Sequence, residues 1–249
     1  MATTDEWGLD RLPAAPNPKV LITGTGRAGT TLLVQVLTDL GLDTGMAPDA
    51  PIDERAAAGL ELPVDDPHGP RIVKSPSAIP HLGAMLDDGI IAIEHVIIPI
   101  RDLEVATASR VRLTRYGSNL RTWGGLTGTV RATRQREALA LLEYELFRTI
   151  ARHSLPHTLL DFPRFAYDWE YTFRSLSFLD TTVAAESWRD ALRARYRPQM
   201  VHQIPLSRNE RMLTRAGTVY NRGLARPARI ARKILSGQSR RTKPKDPLK

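Results

Sequence analysis

The sequence predicts an α/β fold, a three-layer sandwich whose mostly parallel central sheet carries helices on both faces. Three observations lead there. Short β-branched runs alternate with longer stretches of helical period, the order that builds parallel strands joined by crossover helices. The run Val96–Ile100 is continuously apolar, as strands covered on both faces are. The first strand runs into a glycine-rich turn and then directly into an apolar helix, the sequence form of a loop that can hold phosphate.

Taken in order, residues 19–23 read as a short buried strand and residues 30–40 as a helix stopped by Gly41. Residues 41–70 are rich in Pro, Gly and Asp and read as a long pocket-shaping loop, with a small helical stretch over 54–60. A second strand covers 71–74, and a helix over 77–86 follows Pro76. A third strand, 95–100, leads into a helix over 102–116 and a Gly-rich loop, 117–129, that contains Trp123. The stretch 131–153 is a long helix with Leu139, Leu142, Leu146 and Ile150 on one side. A fourth strand over 157–161 and helices over 169–179 and 184–196 complete the body.

The chain of 249 residues has room for one sizeable domain of this kind, expected over residues 19–205. The preceding 18 residues carry Asp5, Glu6 and Asp10 without an apolar core segment, which argues against a secretory signal. No apolar run approaches the roughly 20 residues that span a bilayer. Zero cysteines exclude disulfides and thiolate metal sites and suit a cytoplasmic protein.

The net charge of +8 is unevenly placed. From Arg208 onward 13 Lys/Arg face only Glu210 and Asp246, whereas the rest of the chain holds 22 Lys/Arg against 25 Asp/Glu. Residues 206–249 therefore form a basic tail, expected to be partly disordered or to form a short amphipathic helix. In that helix Ile230, Ile234 and Leu235 would alternate with Arg226, Arg229, Arg232 and Lys233, a pattern suited to an anionic membrane surface. Tyr220 is the tail's one aromatic residue, and no nucleic-acid-binding module accompanies it, so nucleic acid is not an expected partner.

The glycine-rich turn fits two motifs that imply different chemistry. Gly24-x-Gly26-x-x-Gly29 matches a dinucleotide fingerprint, and Gly24-x-x-x-x-Gly29-Thr30-Thr31 matches a P-loop whose lysine has become threonine. The dinucleotide reading lacks its confirming context. Asp43 lies at about the right distance to hold a ribose, but residues 41–45 do not read as a strand. A triphosphatase reading lacks the lysine that bridges the β- and γ-phosphates. What remains is a set of backbone N–H groups, two hydroxyls and Arg27, suited to a phosphate of lower charge.

Arg27-Ala28-Gly29-Thr30-Thr31-Leu32-Leu33 resembles the 5′-phosphosulfate loop of sulfotransferases that use 3′-phosphoadenosine-5′-phosphosulfate (PAPS), in which Lys or Arg precedes Ser/Ala/Cys-Gly-Thr-Thr. A second segment is similar in an independent way. The family binds the donor's 3′-phosphate with an Arg at a strand end and a Ser eight residues later, and Arg101 and Ser109 have that spacing. An arginine in this position faces the crevice where open α/β sheets bind ligands, and its fork suits a phosphate. Val73-Lys74-Ser75-Pro76 is similar to the Lys-Ser/Thr-Pro segment of carbohydrate sulfotransferases, whose lysine sits beside the transferring sulfuryl group. Residues 159–162 and 173–179 are similar to a later strand and helix of the family. The resemblance covers about residues 19–180, and the C-terminal Gly-rich nucleotide segment of cytosolic members has no counterpart.

The resemblance implies a P-loop-type fold and metal-independent, in-line transfer of a sulfuryl group from PAPS to a carbohydrate, lipid or small-molecule hydroxyl, leaving PAP. It assigns donor binding to Arg27, Ala28, Gly29, Thr30, Thr31, Arg101 and Ser109, and charge stabilisation at the reacting group to Arg27 and Lys74. Cytosolic members carry a basic His two residues after the lysine, where this chain has Pro76. Glu61 is then the expected general base, because Gly59-Leu60-Glu61 resembles the Gly-aromatic-Glu segment of bacterial members; Asp53, Glu54 and His68 are its rivals. Two other functions stay open at this point. One is a protein that binds PAPS without transferring; the other is an NAD(P)-linked reductase, which rests on the glycines alone.

Overall fold

The structure, a computed structural model, describes residues 17–52, 59–116, 132–198 and 201. Four strands form one sheet: β1 (Lys19–Ile22), β2 (Ile72–Lys74), β3 (Ile93–Arg101) and β4 (His157–Phe162). Every pairing is parallel and the spatial order is β2-β1-β3-β4. The helices are α1 (Thr30–Asp39), α2 (Ile79–Asp87), α3 (Leu103–Tyr116), α4 (Ala132–His153), α5 (Arg164–Tyr167), α6 (Trp169–Leu176) and α7 (Ala185–Arg195).

The period-2 alternation of the strands divides the core into two layers. Val20 and Ile22 of β1 and Ile97 of β3 point into one apolar cluster, which α1, α5, α6 and α7 close with Leu33, Leu37, Phe165, Leu176 and Trp188. Leu21, Val96 and Ile98 point to the other side, where α2 and α4 supply Ile79, Leu82, Leu146 and Ile150. Full burial stabilises by roughly 1.5–3 kcal/mol for each such side chain, so the short strand β1 is held mainly from its two faces. The three-layer α/β architecture is the one expected from sequence.

Several boundaries differ from expectation. The expected helix over 77–86 is a 3₁₀ turn, Pro76–Ala78, continued by α2; the helix over 169–179 likewise ends in a 3₁₀ turn, Ser177–Leu179. Helix α5 was not predicted, because four residues are too few to show a helical period. Of the expected helical stretch 54–60, only Gly59 and Leu60 are described. Both have positive φ (127° and 58°) and neither is helical. The loop here runs back along the sheet, with the Leu62 N–H donating to the Lys74 carbonyl at 3.1 Å. Asp53, Glu54, Trp123 and the basic tail lie outside the described residues. No described helix is long and apolar enough to cross a membrane.

The chain leaves β1 for β2 on one side and returns across β1 to β3 on the other. The loops after β1 and β3 therefore diverge to opposite faces and open a crevice at their C-terminal ends, the usual ligand position in open α/β sheets. Gly29 closes the first of these loops. A Cβ there would lie 2.6–2.8 Å from the Phe162 and Phe165 rings, and φ is 81°. Gly29→Ala is expected to destabilise the fold by about 2–4 kcal/mol through overpacking and left-handed strain, measured by urea unfolding. Unchanged stability would show that the rings yield freely.

Candidate active site

The loop between β1 and α1 is built by residues that accept left-handed backbone: Gly24, Gly26 and Gly29, joined by Arg27 at φ 64°. A non-glycine residue in this region is strained, and such strain concentrates at ligand sites. The loop delivers the chain into α1, where Gly29 offers no side-chain cap and the first turn holds no acidic residue. The N–H groups that begin α1 thus keep the capacity to receive an anion. Thr30 and Thr31 are buried in this turn. The Ala28 side chain belongs to the apolar core, so Ala28 can contribute only its backbone.

Arg27 is the hub of the site. Its Nε donates to Ser109 Oγ on α3 at 3.1 Å, and its carbonyl accepts from Arg101 Nη1 at 2.7 Å. The two segments singled out separately in the sequence therefore meet. The meeting is crosswise: Ser109 bonds the loop arginine, and Arg101 bonds the loop backbone. Arg101 is 7% exposed, lies over the Phe162 ring at 5.0 Å, and leaves its buried Nη2 without a hydrogen-bond partner among the described residues. Burial lowers its pKa against the opposing pull of Asp102. Asp102 itself caps α3 by accepting the Val105 N–H at 2.9 Å.

Lys74 ends β2, and its side chain is only 2% exposed. The ammonium donates to the Gly59 carbonyl at 2.7 Å and to Glu61 Oε1 at 3.0 Å; a third (33%) of the Glu61 side chain remains exposed. The bond from Leu62 to β2 is what carries Glu61 there. Burial lowers the Lys74 pKa, with Arg27 adding to the effect, while the charge and hydrogen bond of Glu61 oppose it. Thr31 Oγ1 reaches the same Gly59 carbonyl at 3.5 Å.

Of the rival bases, His68 is placed at the wrong end of the sheet. Its turn is anchored through Gly69 and Pro70 to Lys19, where β1 begins, and the phosphate-type loop leaves the other end.

Arg110 was not predicted as a site residue. It is 9% exposed, donates through Nη2 to the Thr25 carbonyl, and has its pKa pushed down to about 10 by burial and by Arg27, against Glu61. Its sequence signal was slight, an arginine among the small, buried residues Ala106, Thr107 and Ala108.

A pocket of about 120 Å³ adjoins this cluster, lined by Arg27, Thr31, Arg101 and Phe162 and by Arg195 and Arg197 near the end of α7. Arg195 is already committed to Asp39 of α1, with bonds of 2.5 and 2.6 Å, and thereby fixes one pocket wall. Arg27 and Arg101 line this pocket, and Arg27 is near enough to lower the pKa values of both Lys74 and Arg110. Such a site attracts an anion, which relieves the mutual repulsion of its cations.

No protein-family model, curated protein or solved structure matches the chain.

Replacing Glu61 by Gln removes the negative charge that raises the Lys74 pKa, keeps at most a weaker, neutral hydrogen bond, and leaves the causes that lower it. In Glu61→Gln, Lys74 is expected to lose its proton at a lower pH than in the wild type, and in both below 10.5. The ¹³Cε NMR shift of Lys74 followed against pH checks this; coincident titration curves would contradict the pairing.

Proposed function

We propose that this protein is a PAPS-dependent sulfotransferase, transferring a sulfuryl group to a hydroxyl of a carbohydrate, lipid or small-molecule acceptor. The observation that carries this reading is the convergence of three distant sequence segments. Arg27 is bonded to both Ser109 and Arg101, at 3.1 and 2.7 Å, and Lys74 to Glu61 at 3.0 Å. Thr31 Oγ1 meets the Gly59 carbonyl that Lys74 also holds, and Arg27 is near enough to lower the Lys74 pKa. The resemblance gives Arg27, Lys74 and Glu61 roles at the reacting group and Arg101 and Ser109 the donor's 3′-phosphate.

The residues fit a nucleotide carrying phosphate at both its 3′ and 5′ ends. The loop N–H groups and the α1 N-terminus suit the 5′-phosphate. The Nη2 of buried Arg101, without a hydrogen-bond partner among the described residues, is a donor suited to a phosphate oxygen, and Phe162 offers an apolar wall. In sulfuryl transfer, as in phosphoryl transfer, positioning and charge stabilisation dominate. Arg27 and Thr31 stabilise charge growing on the leaving phosphate, and Lys74 neutralises the sulfuryl oxygens. Glu61 takes the acceptor's proton, and its side chain, a third exposed, is open to solvent beside Lys74. The cysteine-free chain suits a cytoplasmic enzyme, and the basic tail suits contact with an anionic membrane that holds a lipid-linked acceptor.

Thermal unfolding with PAP, ATP and NAD tests the donor. PAP at a hundredfold excess over its Kd is expected to raise the Tm by roughly 5–10 °C, and Arg101→Ala to abolish the rise. Stabilisation by NAD alone would overturn the reading. Glu61→Gln is expected to lower turnover by about 10²–10⁴-fold while PAP binding persists at neutral pH; full activity would remove Glu61 as the base.

A further inference from the structure

The phosphate-type loop is held from behind by two arginines that approach from the β3–α3 side. Arg101 Nη1 donates to the Arg27 carbonyl at 2.7 Å, and Arg110 Nη2 donates to the Thr25 carbonyl. A trans peptide is planar, with its C=O and the following N–H pointing in opposite directions. Fixing the Thr25 carbonyl toward α3 therefore aims the Gly26 N–H at the other face of the loop. Fixing the Arg27 carbonyl aims the Ala28 N–H in the same manner.

We propose that Arg110 is a positioning residue of this anion site, turning the Gly26 N–H outward for the 5′-phosphate by drawing the Thr25 carbonyl to itself. The role deepens the sulfotransferase reading and rests on it for the identity of the anion. Three features of the structure support it. A Cβ on Gly26 would lie 2.9 Å from Arg110 Nη2, so a side chain there would push the guanidinium aside, and its φ of 70° suits glycine. Arg110 comes from the helix that also supplies Ser109, so the grip on Thr25 and the Ser109–Arg27 bond are set by one rigid element. The guanidinium stays charged at neutral pH despite burial, with Arg27 opposing its charge and Glu61 supporting it. A charged donor orients a carbonyl more firmly than a neutral one.

Calorimetric titration of wild type, Arg110→Met and Arg110→Lys with PAP, 3′-AMP and inorganic pyrophosphate tests the role. 3′-AMP lacks the 5′-phosphate and serves as the internal control. Arg110→Met is expected to weaken PAP and pyrophosphate at least tenfold and to leave 3′-AMP within about twofold, on the scale of one charged hydrogen bond. If Arg110→Met does not fold, Arg110→Lys decides. Its shorter chain keeps the charge but draws the donor away from Thr25, so a smaller loss, about threefold or more and confined to the same two ligands, is expected.

Unchanged PAP and pyrophosphate affinities in the variants would overturn the role. So would an equal loss for all three ligands, which would mark Arg110 as merely structural. If wild type binds pyrophosphate but not PAP, the sulfotransferase reading falls and the pyrophosphate comparison alone decides Arg110. A wild type that binds none of the three overturns both.

Discussion

Four basic side chains gather at one end of a parallel sheet, with the carboxylates of Glu61 and Asp102 close to them. Arg27, Lys74, Arg101 and Arg110 are drawn from the first loop, the end of β2, the end of β3 and the body of α3. Lys74, Arg101 and Arg110 are almost wholly buried, and burial lowers the pKa of each. Charge in such surroundings is costly. The chain meets that cost with backbone carbonyls: Gly59 for Lys74, Arg27 for Arg101 and Thr25 for Arg110. Glu61 offsets the charge of Lys74, whereas the carbonyls that hold Arg101 and Arg110 solvate charge without neutralising it, which favours an anion nearby.

This arrangement depends on the topology. The order β2-β1-β3-β4 puts β1 between the strand that ends in Lys74 and the strand that ends in Arg101, and it makes the crevice open where the first loop emerges. Gly29 lets Phe162 and Phe165 press against the loop from the β4 side, while Arg110 holds it from the α3 side. The loop is thus fixed by contacts on both flanks. Its N–H directions are properties of the folded protein before any ligand arrives, which is the preorganisation that charge stabilisation requires.

The layers and the first loop were legible in the sequence because their signals are local. A β-branched run, three glycines and an apolar helix identify β1, the loop and α1, and the leucine period identifies α4. Arg101 and Ser109 were legible through their spacing. Their bonding was not, because Ser109 meets Arg27 only when α3 packs beside the loop. The value of Arg110 depends on the same packing, and nothing in its neighbours along the chain announces it. Glu61 was chosen on a faint segment likeness. The physical reason it reaches Lys74 is a backbone bond from Leu62 to β2, formed where residues 54–60 were expected to be helical. Apart from the short helix α5, whose four residues show no period, interactions between residues far apart in sequence account for what could not be read.

A single nucleotide must engage both the first loop, through its 5′-phosphate, and the end of β3 with the start of α3, through its 3′-phosphate. Hydrogen exchange read by mass spectrometry, with and without PAP, examines that directly. The expected result is exchange at least about tenfold slower in peptides covering Gly24–Thr31 and Arg101–Arg110, with NAD giving no such protection. Unchanged exchange in both segments, or equal protection by NAD, would contradict it.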